Sequence, residues 1–391
     1  MSRLLSFALF LTIIVSVTGS AHYYVWARLI RDPALGPGPA RLFTYLIIGL
    51  FVAIPTSLFL RRSSLASLTA PLVWVAMIWL GLLLFLVISL GAVDLGRSLW
   101  SLGRWLGGSP PLDAERRQTL ARLLAAGVAL LSGSLGVAAL ASGLGRVKVK
   151  RVEVKLARLP RALDGLRILQ WSDVHIGPTI HREFIQGIVA QTNALKPDLI
   201  AITGDLVDGS VGDLAEDVAP LAELRAKYGV FFVTGNHEYY SGAEEWCSEL
   251  RRLGVRVLRN ERVSIGEPGA SFDLAGVDDH SAARFGRGHG EDVEKALAGR
   301  DPEREVVLLA HQPRTIFEAE KHGVGLQLSG HTHGGQLWPW TYLVRLQQPV
   351  VAGLERFGRS LIYVSSGTGY WGPPMRLGAP AELTEITLVA A

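Results

Sequence analysis

The sequence predicts an α/β domain of stacked sheets with helices outside, preceded by a four-helix transmembrane region. Three observations predict it. Four charge-free apolar runs lie before residue 146. Five short β-prone runs follow, each ending in a polar cluster. Helical stretches separate the first three of those runs, the alternation that builds sheets with helices packed outside them.

The apolar half comes first. No charged residue occurs in 4–27, 42–60, 63–93 or 123–145. A bilayer core takes roughly 20 apolar residues as helix, so spans are expected at about 4–27, 42–60, 72–90 and 123–145. Buried core helices are the other reading, but four such runs would leave almost no amphipathic surface. Only Arg3 precedes the first run and VTGSAHYY offers no A-x-A site, so a cleaved signal peptide is not expected. His22, Tyr23 and Tyr24 sit near the end of the first run, and Trp74, Trp79, Trp100 and Trp105 in or near the third. Such rings anchor at interfaces or line a transport path. The lack of mid-span Asp, Glu or Lys favours an anchor, one that could also grip a lipid.

Charge divides the chain at the same place. Up to Gly145 there are 11 Arg, no Lys and 4 acidic residues, leaving 28 basic and 31 acidic residues beyond. The pI near 9.2 therefore reflects an Arg-flanked apolar half joined to a mildly acidic one. That excludes the basic stripe of a nucleic-acid-binding domain, and no nucleic-acid partner is expected. A mean hydropathy of +0.28 with 19% charged residues excludes disorder. The single Cys247 excludes a disulfide framework and Cys-rich zinc or iron–sulfur sites. Placing the loops alternately gives 10 basic residues on the side of both chain ends and 8 on the other. The bias predicts a multi-pass protein of the cell inner membrane, residues 1–145 spanning it and residues 146–391 folded in the cytoplasm.

In the second half, runs at 166–173, 198–205, 229–238, 305–313 and 325–333 each pass from apolar residues into Gly, Asp, Asn or His. Helical stretches are expected at 181–195, 213–227 and 242–253. The clusters are Asp173-x-His175, Gly204-Asp205-x-x-Asp208, Gly235-Asn236-His237-Glu238, His311, and Gly330-His331-Thr332-His333. A lone D-x-H is more often a turn or cap. Five clusters in order, each closing a strand, place ligands where α/β folds put their sites. As possible metal ligands they offer two Asp, one Asn and four imidazoles. Nitrogen and oxygen donors without thiolate suit Mn²⁺, Fe or Zn²⁺. A carboxylate shared by two ions gives the two-metal arrangement of phosphoester hydrolysis. The adjoining glycines let the backbone turn tightly.

The series D-x-H, G-D-x-x-D, G-N-H-E, H and G-H-x-H, complete and in order over about 166–335, resembles the calcineurin-like metallophosphoesterase superfamily. LDGLRILQWSDVHIGPT, GHTHGGQLWP and the ending VSSGTGYWGPPMRLGAPAELTEITL resemble its membrane-associated bacterial branch. The resemblance implies a four-layer α/β/β/α sandwich over 146–391 and two divalent ions, Mn, Fe or Zn. It implies that Asp173, His175 and His333 hold the first ion, that Asn236, His311 and His331 hold the second, and that Asp205 bridges both. His237 would sit beside the scissile phosphate and protonate the leaving oxygen or stabilise developing charge. Asp208 would fix its tautomer, and Glu238 would support the ligands from behind. A bridging water activated by two ions would attack phosphorus in line.

The reaction implied is hydrolysis of a phosphodiester, pyrophosphate or phosphomonoester, with a lipid-linked substrate such as UDP-2,3-diacylglucosamine one plausible neighbour. The alternative is a transporter or signalling protein whose phosphoesterase-like domain senses a ligand; a degraded ligand set would favour it. Outside the motifs, Asp278, Asp279 and His280 either line the cleft or form a solvated loop, and His289 is a loop residue. Cys247 is a small core residue. Arg376 either binds a substrate phosphate or lies on the surface. Trp338, Trp340, Tyr370 and Trp371 form a membrane-facing rim or pack ordinarily. The basic run 146–161 touches anionic headgroups or forms an edge strand, VKVKRVEVKL.

Overall fold

The computed structural model describes residues 3–60, 66–108, 110 and 112–391. The chain divides into two compact units, Met1–Ala141 with Gly372–Met375, and Ser142–Trp371 with Arg376–Ala391.

The first unit is helical. Its long helices are α1 (Arg3–Trp26), α2 (Pro37–Leu60), α3 (Ala66–Leu106) and α4 (Ala114–Gly143). Among the described residues, Pro37–Ser57, Thr69–Leu106 and Ala114–Gly143 are long and apolar enough to cross a membrane. α2 begins on proline, whose missing N–H is one no helix start can use. α4 begins after Asp113, whose carboxylate accepts from the Arg116 amide at 2.8 Å. α3 runs well past the expected 72–90, through Asp94 and Arg97, because nothing breaks it before Gly107-Gly108 and the prolines beyond. Its Asp94 accepts from Tyr24 Oη at 2.6 Å and Arg28 Nε at 2.9 Å, and Arg28 also meets Asp32 at 2.7 Å. His22 and Trp79 do not act as separate interfacial anchors. His22 is buried, and its Nε2 accepts from Trp79 Nε1 at 2.8 Å, tying α1 to α3. Trp100 and Trp105 are exposed.

The second unit is a mixed α/β domain. Its strands are β1 (Lys148–Leu156), β2 (Arg167–Trp171), β3 (Leu199–Ile202), β4 (Val230–Phe232), β5 (Arg256–Val257), β6 (Glu261–Glu267), β7 (Ala270–Gly276), β8 (Val306–Leu309), β9 (Leu326–Ser329), β10 (Gly353–Phe357), β11 (Ser360–Val364) and β12 (Glu382–Ala390). One sheet has the order β1-β12-β2-β3-β4-β5 and the other β10-β11-β9-β8-β7-β6. Strands β2 to β5 run parallel, with Ile168 opposite Leu199 and Ile200 opposite Val230. So do β7, β8, β9 and β11. Parallel strands buried on both faces read as unbroken apolar runs, which is what LIAI, VFF and VVLL are.

One core cluster joins Ile168, Leu199 and Phe231 of the first sheet to Leu274, Leu309 and Leu328 of the second. A second packs Trp171, Ile202 and Phe232 against Ile185, Leu214 and Trp246, on helices α5 (Arg182–Leu195), α6 (Val211–Val218) and α8 (Ala243–Arg252). The short helix α7 (Asn236–Ser241) lies between the last two in sequence. A third joins the second sheet to Ile316 and Ala319. The helix expected over 213–227 stops at Val218, because Pro220 has no N–H to continue it, and a 3₁₀ turn follows. The basic run forms the edge strand β1, whose Arg151 pairs with Glu385 at 2.7 Å. Alternating outward charges suit an edge.

Candidate metal centre

The candidate ligands all follow the carboxyl ends of strands. Asp173 and His175 leave β2, Asp205 and Asp208 leave β3, and Asn236 and His237 open α7 after β4. His311 leaves β8, and His331 and His333 leave β9. Both sheets therefore supply donors to one place. Five of these residues sit in the left-handed region: Asp173 (φ 52°), His175 (56°), Asp205 (50°), His331 (70°) and His333 (52°). Each costs about 1–2 kcal/mol for a residue with a Cβ. Backbone bonds enforce the conformation; the Asp173 amide donates to Gly204 O and the His175 amide to Asp205 O, both at 3.1 Å. Glycines permit the close approach. A Cβ at Gly235 would collide with Asp205 Oδ1, and one at Gly330 with Ser172 and Asp173.

Two groups of donors result. In one, His175 Nε2 and His333 Nε2 lie 3.0 Å apart, with Asp173 Oδ1 3.4 Å from the latter. In the other, His311 Nε2 lies 3.0 Å from Asp205 Oδ2 and 3.2 Å from His331 Nδ1. Asp205 Oδ2 is also 3.9 Å from His175 Nε2, so it stands between the groups. The buried Oδ1 of Asn236 has no hydrogen-bond partner. Facing ring nitrogens can share at most one proton, and a buried amide oxygen without a donor is costly. The donor set fits divalent cations on both counts. His311 Nδ1 bonds Thr203 O at 2.8 Å, which points Nε2 at the site.

Charge in the site is tightly balanced. Burial would raise the Asp205 carboxyl, but the rings of His311, His237 and His175 hold it well below the usual range. Burial likewise opposes ionisation of Asp208, yet His175 and His237 keep it low. Burial would lower His237, but Asp205 and Asp208 lift it to about 9. Burial, with His175 and Arg376 nearby, holds the His333 ring well below its ordinary value and therefore neutral.

Several neighbours matter more than their sequence positions suggest. Glu238 is fully buried and accepts from the amides of Gly235 (2.6 Å), Leu206 (2.7 Å) and Asp205 (3.0 Å). It locks the loop that carries Asp205 to the end of β4. Burial and then Asp205 push its carboxyl up to about 7. Arg376 does not lie on the surface. It is fully buried and donates to Gly369 O, Ser366 O and Ala379 O, each at 2.8 Å or less. Burial pulls it down to about 10. Nothing in GPPMRLG marks this role, because the acceptors are carbonyls. Asp278 and Asp279 are not a solvated loop. Asp278 takes both forks of Arg259 at 2.7 Å, and Asp279 accepts from Gln312 and Ser281. His280 pairs with Glu291, and His289 lies against Arg259. Cys247 is buried in the core, as expected.

Apolar rings surround His237. Tyr240 and Trp371 lie 5.3 and 5.5 Å from its ring, and Phe285 lies 5.3 Å from Tyr240. All three are exposed, as are Trp338 and Trp340, whereas Tyr370 is buried.

Residues 166–335 match the family model described as calcineurin-like phosphoesterase. The chain is 35% identical to a transmembrane protein with metallophosphoesterase domain from Danio rerio, over 98% of this chain and 89% of that one. It is 32% identical to an uncharacterized metallophosphoesterase of Campylobacter jejuni, over 98% of each. Among solved structures it is similar to the NAD nucleotidase of Haemophilus influenzae, at 19% identity and a TM-score of 0.38, over 52% of this chain and 50% of that one. The apolar helices and the transmembrane relatives mark the protein as membrane-associated. With its family match and its candidate ligand clusters, the chain belongs to the calcineurin-like phosphoesterases, metal-dependent hydrolases of phosphoric esters.

Proposed function

We propose that the protein is a membrane-anchored, binuclear-metal hydrolase of an amphiphilic phosphoester. Asp173, His175 and His333 hold one cation, and Asn236, His311 and His331 the other. Asp205 serves both. Two divalent ions, Mn, Fe or Zn, supply the charge that activates water and offsets the phosphoryl oxygens. The observation that carries this reading is Asp205 Oδ2, placed between two converging groups of imidazoles.

The chain's own residues do the rest. His237 donates Nδ1–H to Asp208 at 2.5 Å, which turns its Nε2 toward the reacting group. The Asp208 carboxylate at its Nδ1 favours the protonated ring, which can give a proton to the leaving oxygen. Tyr240, Phe285 and Trp371 give an apolar flank beside that proton, suited to a leaving group or substituent with acyl or ring character. A lipid-linked phosphodiester or pyrophosphate of the UDP-2,3-diacylglucosamine kind satisfies both demands. The packing clusters support a four-layer α/β/β/α arrangement over 146–391. Four spans before it, in the inner membrane and with this domain in the cytoplasm, complete the proposal.

The test is hydrolysis of a panel of lipid-linked and water-soluble phosphoesters by the full-length protein, with Mn²⁺, Fe²⁺ or Zn²⁺ added. Faster turnover of the lipid-linked members, lost in Trp371→Ala but kept on bis-p-nitrophenyl phosphate, supports the reading. Equal rates on both classes remove the amphiphilic substrate.

A further inference from the structure

We infer that the helical unit holds one anionic phospholipid, an acyl chain in a half-open cavity among its helices and the phosphate on Arg122. This rests on the reading of that unit as membrane-spanning. A cavity of about 420 Å³ lies among its helices. Leu29, Ile47 and Trp79 wall it, and Ala129 and Gly133 leave the room for it on α4. Residues four apart on a helix share a face, so two minimal side chains there leave a stretch of α4 unfilled. Among the described lining residues Arg122 alone is charged. In a bilayer the material at hand to fill such a space is hydrocarbon, and an acyl chain enters without losing any hydrogen bond.

Arg122 supplies the polar end. A guanidinium has five N–H donors. Its Nε bonds Pro33 O at 2.9 Å and one Nη2 hydrogen reaches Ala34 O at 3.5 Å. Among the described residues its other three donors meet no acceptor. Arg28, Arg31, Arg97 and Arg116 each meet a carboxylate, of Asp32, Asp94 or Asp113; Arg41 and Arg104 bond carbonyls of their own segments, and neither lines the cavity. Among the described residues no carboxylate pairs with Arg122, which is exposed at the cavity. A planar cation with free donors beside an apolar cavity matches an anion that carries an apolar tail. Phosphate fits the guanidinium fork through two oxygens. A zwitterionic lipid brings a competing cation of its own.

The experiment uses the purified full-length protein in mild detergent, with phosphatidylglycerol or phosphatidylcholine of matched chains, read by native mass spectrometry. Wild-type protein should retain one phosphatidylglycerol per chain and prefer it about fivefold, the effect of one basic side chain near a lipid surface. Arg122→Gln should bind the two lipids equally. Ala129→Trp should fill the cavity and lower retention of both, with helix content by circular dichroism unchanged. No retained lipid, equal retention by the wild type, or a preference that survives Arg122→Gln overturns the proposal. Should Ala129→Trp fail to fold, the Arg122→Gln comparison decides alone. No outcome depends on hydrolysis, so a failed substrate panel and a failed lipid site remain distinguishable.

Discussion

Asp208 Oδ1 accepts from His237 Nδ1 at 2.5 Å and lies 3.2 Å from His175 Nδ1. One carboxylate oxygen thus orients two rings with different jobs. His175 directs its Nε2 at His333, among the candidate ligands, while His237 stands beside the exposed aromatics.

From this pairing, His237→Ala should keep both metals and lose about 10²–10⁴-fold in rate, the usual range for a general acid. The loss should shrink on a p-nitrophenyl ester, whose leaving group needs little protonation. Metal analysis and kcat on good and poor leaving groups check it. An emptied metal site would make His237 a ligand. Equal losses on both esters would mean that it stabilises charge without donating a proton.

Asp208→Asn should be more than a mild copy of that variant. Because Asp208 also holds His175, metal affinity should fall about 10–100-fold alongside the rate, the common cost of losing a carboxylate behind a ligating histidine. Titration with Mn²⁺ against activity measures the split. Full activity at saturating metal would confine Asp208 to His175.

The sequence made the donor set legible because each ligand lies two to four residues past a strand end, where its spacing is local. It also made the apolar runs and the parallel strands legible, since LIAI and VFF carry their burial in their composition. What it hid were contacts from charged side chains to backbone. Arg376 reads as a basic residue in a Gly/Pro loop, and only the fold shows that its partners are the carbonyls of Gly369, Ser366 and Ala379, with those of Gly367 and His333 at 3.4 and 3.5 Å. Glu238 likewise binds amides more than 30 positions away. The helix expected to run to 227 ends at Val218, since Pro220 cannot continue it.

Arg376→Met should therefore destabilise the second unit without removing any ligand. Its buried carbonyl partners would lose charged donors at about 2–4 kcal/mol in all. Thermal unfolding followed at the tryptophans should show a Tm several degrees lower, with Arg376→Lys intermediate because a single ammonium cannot fork. An unchanged Tm would show that the loop 366–379 is held by other contacts.

Gly235→Ala needs no unusual dihedral, because Gly235 has φ −100°. The added Cβ would collide with Asp205 Oδ1 and its amide. Overpacking of this kind costs about 1–3 kcal/mol. The variant should fold yet bind metal weakly, as read by equilibrium dialysis. Wild-type affinity would mean that Asp205 can move aside without consequence.

Cys247 gives a pH test outside the site. Burial pushes its thiol up to about 12. In the folded protein it should stay protonated and resist iodoacetamide at pH 8, then react fully in urea. Because the folded value lies above the unfolded one, this group's contribution to stability is complete below the unfolded pKa. It declines as pH rises from there toward the folded value. Rapid native labelling would show that the core around Trp246 opens.

The most direct test of the binuclear centre is the metal content of the full-length protein before and after Asp205→Ala, measured with hydrolysis of bis-p-nitrophenyl phosphate on the same samples. The account predicts two divalent ions per wild-type chain, fewer in the variant, and no measurable hydrolysis by it. Wild-type metal content in Asp205→Ala, or one ion per wild-type chain with full activity, would contradict it.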